Sequence, residues 1–341
     1  MPGVRRLAKI QISDESTHGE AVSATTIWRG PFAGLADEGK VVFVPENVGL
    51  LSGMDRTYIP AKGATLDMPE TEATFEQLPH ILLAGVHHTT GVGTQNSKTW
   101  TFTFPVTGAT DVRTYTIEAG DDQQVERASY CFVEEFHLTG ASRGPLKMSA
   151  RWRGRQVAAA SFSTGHIPSV EEIPFSKGKL YIDDSGGTIG STQKSNTLLD
   201  MDLAVTTGIR AYTAADGQLY FSGHSQTPPE VLLDITFEHD GTATAEKVAW
   251  RAETGRLIRL VWEGSDCGDG VNKKVQVDLA GKWESFDSLA ERDGGHIAIG
   301  HFRARYSSVD ALFAQIVVVN TRFDICGGIG SWAIGSTFVI S

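Results

Sequence analysis

Basic residues are the first shortage. Lysine and arginine number 30 against 41 aspartates and glutamates, a formal net charge of −11 over 341 residues. The chain therefore lacks the basic face of an electrostatic nucleic-acid binder, although nucleic acid passing close by without sticking is compatible with it. Cysteine is nearly absent. Cys131, Cys267 and Cys326 are far apart, odd in number and in no CxxC pair, which excludes a disulfide framework and fits reduced thiols in a cytosol. No stretch reaches the ~20 apolar residues of a membrane-spanning helix, and the opening MPGVRRLAKIQIS has no signal-peptide run, so no membrane association is expected. Phosphate loops, GxGxxG turns after a strand, HExxH and zinc patterns are missing too. No catalytic residue, metal or cofactor is expected.

Helical periodicity is also scarce. The clearest candidate is the stretch 69–90, where Leu78, Ile81, Leu82, Leu83 and Val86 recur at helical spacing. Thr74 with Gln77 makes a capping-box pattern, and Gly85 and Gly91 sit where a helix would stop. Pro79 is the difficulty, because a mid-helix proline removes a backbone donor. Either the helix starts just before Pro79, or a short first turn at 71–78 kinks into a second. A helix this short is unstable alone, so β-structure is expected to cover it. A second candidate spans 243–253, with Thr242 or Thr244 as its cap.

What is plentiful is strand and turn. Residues 1–39 read as an extended arm with a strand around Trp28, and 41–44 as a short buried strand. The stretch 45–64 is a long loop with exposed-looking Leu50, Leu51 and Met54; loops of that length are usually functional or disordered. Strands follow at 100–104, 112–118, 126–138, 146–152 and 156–162, then a Pro/Gly/Ser-rich connector at 163–179. Further strands fall at 180–182, 199–205, 219–221, 231–239, 257–263, 274–279, 297–306 and 313–320, with Asp216–Gly217 as a hairpin signal. Each half thus offers about six strands and one short helix, the pattern of a duplicated domain. The expected division is 1–168 with the N-terminal arm and loop 45–64, then 169–322, then an apolar arm at 323–341.

The residues that could carry chemistry mostly resolve into bland roles. His80, His87 and His88 lie at a helix end without converging. His296 and His301 are five apart on a strand and point to opposite faces. GSDCGDG at 264–270 fails the nucleophile-elbow spacing and lacks a full calcium loop, which leaves a hairpin turn. Carboxylate pairs occur at Asp121/Asp122, Glu134/Glu135, Glu171/Glu172 and Asp183/Asp184. Glycosidase chemistry needs two carboxyls facing across a cleft, whereas neighbours on a strand point apart.

The succession of features resembles the tail tube proteins of long-tailed bacteriophages, in their larger form. The residues that carry the resemblance are DESTHGEAVSATTIW (14–28), MDRTYIPAKG (54–63), TFEQLPHILLAGV (74–86), SARWRGRQ (149–156), LAVTTGIRAYTAADGQLYFSG (203–223) and ARYSSVDALFAQIVVVN (304–320). The glycine-rich segment after Asn320 departs from the pattern. The resemblance implies a mainly β fold of tandem tail-tube-like β-sandwich or barrel domains, each with one short flanking helix. It implies a structural virion protein, made in the host cytoplasm, that stacks as rings into the tail tube through which DNA is ejected. Two such domains per chain imply trimeric rings with pseudo-sixfold symmetry; one domain with a large insertion would imply hexamers. Implied partners are other copies of the chain, tape-measure and tail terminator proteins, and DNA as passing cargo. On this reading Asp121, Asp122, Asp183 and Asp184 are candidates to line the bore, where acid repels phosphate, and Leu50, Leu51 and Met54 form a candidate ring-stacking loop. Two other readings stay open: a β-sandwich enzyme acting on glycans, and a carbohydrate-binding module stacking sugars on Trp28, Trp100, Trp152, Trp250, Trp262, Trp283 or Trp332.

Overall fold

Alternation of apolar and polar residues sets the architecture. The computed structural model describes residues 3–94 and 96–321, and the fold is mainly antiparallel β with two α-helices. Numbering strands of four residues or more, the order is β1 Lys9–Asp14, β2 Ala64–Glu72, α1 Leu78–Gly85, β3 Lys98–Thr103, β4 Tyr115–Gly120, β5 Val125–Ala141, β6 Leu146–Gly154, β7 Val157–Ala160, β8 Lys179–Asp184, β9 Leu198–Thr206, β10 Ile209–Tyr212, β11 Gly223–Gln226, β12 Glu230–Glu238, α2 Gly241–Arg251, β13 Arg256–Asp266, β14 Asn272–Phe286, β15 Gly295–Ala304 and β16 Ala314–Asn320.

Seven strands make the main sheet in the order β2–β6–β5–β9–β12–β15–β14, each pair antiparallel. Burial alternates along it: β12 turns Val231, Leu233, Ile235 and Phe237 into the core and Glu230, Leu232, Asp234 and Thr236 away from it. Two long strands change neighbours along their length, β5 passing between two sheets and β14 staying within one. The first part of β5 pairs with β4 and β7 instead of β6 and β9, and β4 pairs with β1. The first part of β14 pairs with β13 and β16, which bring in β8 and β3. Each crossing carries register breaks: between Ala128 and Cys131 and between Val133 and Glu135 in β5, and between Trp283 and Ser285 in β14.

At the β5 crossing Tyr130 adopts φ 57°, a left-handed conformation that a bulky residue rarely takes. Glu15 holds it there. Its carboxylate is fully buried and accepts hydrogen bonds from the Tyr130 N–H at 2.8 Å, the Gly19 N–H at 2.7 Å and the hydroxyls of Thr114 and Thr116 at 2.6 and 2.9 Å. A buried carboxylate is tolerated only when so satisfied. The expected extended arm at 1–39 is corrected by the same region. β1 pairs along its whole length with β4 and buries Ile10, Gln11 and Ile12; three buried positions in a row defeat a search for alternation.

Both helices differ in detail from expectation. α1 packs on β5 and begins just before Pro79, which sits in its first turn where no donor is needed. Thr74 accepts a bond from the Gln77 N–H at 3.1 Å, but all eight helix residues are buried, so there is no single apolar stripe. Residues 69–72 belong to β2, and Pro69 is accommodated because β2 has another strand beyond it only at Ala64 and Thr65. α2 packs on β14 and is capped by Asp240, whose carboxylate accepts from the Ala243 N–H at 2.9 Å, not by Thr242 or Thr244. Two expected strands also move. Val42–Phe43 pairs with Thr57–Tyr58 but is not buried, because nothing packs beneath a two-residue ladder. The hairpin around Asp216–Gly217 is formed by β10 and β11 rather than by 199–205 and 219–221.

One apolar core takes residues from Ile10 through Val318, among them Leu138, Leu203, Leu233, Trp262 and Phe302. Chain on both sides of position 168 shares this core and the main sheet, since β5 pairs with β9. The apolar arm expected at 323–341, with Cys326 and Trp332, lies outside the described residues.

Asp240→Ala removes the α2 cap and is expected to lower stability by about 1 kcal/mol, while Thr242→Ala changes it by less than about 0.5 kcal/mol; urea unfolding of the two variants checks this.

Candidate assembly surfaces

The main sheet has one face in the core, and strand geometry fixes what the other face presents. Reading across it, Asp67 on β2, Arg151 on β6 and Glu135 on β5 stand side by side, with Arg151 3.7 Å from Asp67 and 3.8 Å from Glu135. In a parallel row Asp202 on β9 faces Asp234 on β12, and Asp234 faces His301 on β15. His301 bonds Asp234 at 2.7 Å and lies 3.4 Å from Asp287, and His137 reaches Asp202 at 3.3 Å. Around them Lys147 pairs with Glu70 at 2.7 Å, Arg292 with Asp200, and Arg303 with Glu230 and with Glu284 at 2.9 Å. The face is paved with charge, and its carboxylates outnumber its lysines and arginines.

Like charges directly opposite on adjacent strands repel, so the Asp202–Asp234 pair is a local cost that the flanking histidines offset. Burial draws the His301 pKa down, but the hydrogen bonds and charges of Asp234 and Asp287 outweigh it and hold the imidazole above its ordinary value. The sign follows: this stabilisation is complete below the unfolded histidine pKa of about 6.5 and is lost as pH rises through the higher folded value.

A second surface is apolar. The hairpin built on Val42–Phe43 and Thr57–Tyr58 carries Phe43, Val48, Leu50, Leu51, Met54 and Tyr58 in the open; Leu50 is 63 % and Met54 50 % exposed, and Leu51 is wholly so. Its root is tied by the Lys62 N–H donating to the Leu219 carbonyl at 2.7 Å. A two-stranded ribbon is at best marginal in water, and so dense an apolar display marks an interaction site.

The acids singled out from sequence lie elsewhere. Asp121 and Asp122 occupy the β4–β5 turn, off the main sheet. Asp121 accepts from the N–H groups of Gln123 and Gln124, and Asp122 accepts from the Val4 N–H at 2.9 Å, which holds its pKa below the usual range. Asp183 is a correction. It is buried, and its carboxylate closes the loop after β8 by accepting from the N–H groups of Gly190, Ser191 and Thr192, so it offers no charge to a bore. Asp184 remains outside, paired with Arg256. Leu50, Leu51 and Met54 are exposed. Apart from Glu135, the acids of the paved face escape a search for neighbouring carboxylates, because their signal is a single acid flanked by core residues, as Asp202 between Met201 and Leu203 and Asp234 between Leu233 and Ile235.

The remaining motifs keep structural roles. His80 bonds the Tyr115 hydroxyl at 3.1 Å inside the core, and His87 bonds Thr110. In the 264–270 turn Asp266 accepts from the Gly268 and Gly270 N–H groups, and Asp269 from the Ser97 hydroxyl. Among the described residues no cluster of three His, Cys, Asp or Glu could hold a metal ion. Cys131 and Cys267 are buried free thiols. Trp28, Trp100, Trp152, Trp262 and Trp283 are buried too, so they pack the core instead of offering rings to a sugar. A cleft of about 650 Å³ runs beside Trp28, Phe32, Glu72, Ile167 and Glu172; Asp202 and Asp234 face each other on the sheet surface outside it. No helix of the described residues is long and apolar enough to cross a membrane. No family model matches the chain, and no curated protein aligns with it.

Relief of the like-charge pair in Asp202→Asn is expected to raise stability by about 0.5 kcal/mol at pH 8. His301→Gln is expected to cost most below pH 6 and least above pH 8. Thermal melts across that range check both.

Proposed function

We propose that the chain is a structural subunit of a bacteriophage tail tube, polymerising as stacked rings into a conduit for DNA. The observation that carries the reading is the uncovered apolar hairpin around Leu50, Leu51 and Met54, which costs solvation free energy in a lone subunit and is satisfied by burial on another copy. The paved face supports the second half of the reading. It is rich in ion pairs and net acidic, so phosphate passing over it finds no surplus of lysine or arginine to grip. A tandem tail-tube-like organisation is supported by the recurrence of one unit: a long strand that changes neighbours partway along with a helix packed on it, α1 on β5 and α2 on β14. On that basis the rings are trimers with pseudo-sixfold symmetry, with hexamers as the competing closure. Head-to-tail contacts between copies close such rings. Within the reading the chain acts without catalysis or cofactor, its other partners are the tape-measure and terminator proteins, and its final place is the virion tail.

Negative-stain microscopy of the concentrated protein is expected to show rings or tubes of uniform width. The triple variant Leu50→Asp, Leu51→Asp, Met54→Asp is expected to remain monomeric with an unchanged circular dichroism spectrum and stability within about 0.5 kcal/mol, since the changed side chains are solvent-exposed. Tubes that still form from this variant would remove the hairpin from the stacking contact, and a wild type that stays monomeric at high concentration would remove the tube reading itself.

A further inference from the structure

Among the described residues the hairpin β10–β11 pairs with no other strand, so what holds it is side-chain packing and a few isolated hydrogen bonds. Its contribution is a small apolar cluster separate from the main core: Ile209 and Phe221 from the hairpin against Val112, Tyr130 and Phe132. Phe221 meets the rings of Tyr130 and Phe132 at 5.2 and 5.9 Å. His224 completes the contact. Its Nδ1 lies 3.2 Å from the Tyr130 hydroxyl, and its ring sits 5.8 Å from Phe132 and 5.4 Å from the ring of His18.

The groups facing this seam are unusually rich in titratable nitrogen. From the loop after β1 come His18 and Glu15, the latter fully taken up by its own hydrogen bonds. From the segment before β4 comes Asp111, 3.7 Å from His18 and bonded through its carbonyl to the His88 N–H, together with Arg113, while His87 bonds Thr110 beside them. From the β6–β7 turn Arg155 lies 4.3 Å over Tyr130 and 5.2 Å from the Tyr220 ring, and donates to the Ser222 carbonyl at 3.0 Å. The hairpin itself adds His224, Arg210 and Asp216, the last feeling Arg155. Arg113 and Arg155 bring positive charge to this seam, set against the exposed carboxylates of Asp111 and Asp216 and the nearby Asp14, so a proton on His224 has to overcome burial and the adjacent His18 ring.

We propose that the hairpin β10–β11 is an acid-released latch: neutral His224 holds it against Tyr130 and Phe132, and protonation of His224 undocks it, freeing the Lys62–Leu219 tie at the root of the exposed apolar hairpin. The environment agrees in direction. Burial, then the neighbouring His18, lower the His224 pKa while Asp111 opposes. A lowered folded value means no penalty above about pH 6.5 and a growing one below it, because the released hairpin takes up the proton first; by pH 5.5 this weakens docking by up to about ten-fold. The latch is independent of the tube reading, since it acts within a single copy.

Hydrogen–deuterium exchange of the unassembled chain, corrected for intrinsic rate, tests it at pH 7.5 and 5.5. Protection of residues 208–227 and of the Lys62 amide is expected to fall several-fold, up to about ten-fold, at pH 5.5, with β9 and β12 unchanged. The pair His18→Gln with His224→Phe is expected to abolish the fall, the phenyl ring keeping the contact with Phe132. The single variant His18→Gln leaves the hairpin untouched and is expected to reduce the fall, which keeps the test decisive even if the pair fails to dock. Equal protection at both pH values, an undiminished fall in the single variant, or a loss spread evenly over β9 and β12 would each overturn the latch. None of these outcomes depends on whether rings form.

Discussion

Two strands, β5 and β14, each change neighbours partway along their length, β5 between two sheets and β14 within one, and the course of the chain follows from how they manage it. A strand residue can face one core only. When a strand leaves one set of neighbours for another, the side-chain parity has to be reset, and an extra residue in the ladder is the device that resets it. In β5 that residue is next to Tyr130, whose left-handed backbone is pinned by the buried carboxylate of Glu15. The N-terminal segment is thereby drawn into the fold, because the residue that stabilises the crossing follows directly on β1. In β14 the reset falls at Trp283, whose indole N–H donates to buried Glu246 of α2 at 2.9 Å. In each case a polar side chain from a neighbouring element anchors the break, as buried polar atoms at a broken ladder require.

Once the crossings are fixed, the far face of the main sheet is determined position by position. Every side chain opposite a core residue on β5, β9, β12 and β15 lands there, so the surface is as ordered as the core beneath it. Its ion pairs are individually weak, since exposed pairs contribute little each. Their effect is collective: long side chains committed to partners are not free to reach for a passing polyanion. The Asp202–Asp234 confrontation would be eliminated if only stability mattered. Its presence fits a surface arranged for net negative charge instead of for maximal attraction.

Much of this was legible in the sequence, and the limits have physical causes. The strands of the main sheet announce themselves by alternation, as in LLDITFE, and both helices are visible from spacing. The crossings are not, because a bulge shifts parity by one and looks like noise in a periodicity search. β1 was hidden for the opposite reason, with three consecutive buried residues and a partner about a hundred positions away. The Asp183/Asp184 pair shows why neighbouring acids mislead. One carboxylate turns inward to close a loop and the other outward to Arg256, as adjacent positions on a strand must. The acids that share a surface are two apart or across a strand pair, which only register reveals. The apolar hairpin, by contrast, was readable directly, since Leu50, Leu51 and Met54 sit among glycines and charges with no periodic partner.

The same side chain is used in opposite senses at the two surfaces. His301 stands between Asp234 and Asp287, so a proton on it is welcome and its own contacts are firmest when it is charged. His224 stands against aromatic rings and another histidine, so a proton on it is unwelcome and the hairpin contact is firmest when neutral. Acidification therefore does not load the fold evenly. It favours the His301 contacts on the sheet that would line a conduit and concentrates the penalty on a two-stranded ribbon whose loss leaves the main core intact. A fold stressed this way opens at one place first, and that place borders the root of the apolar hairpin on which assembly would depend.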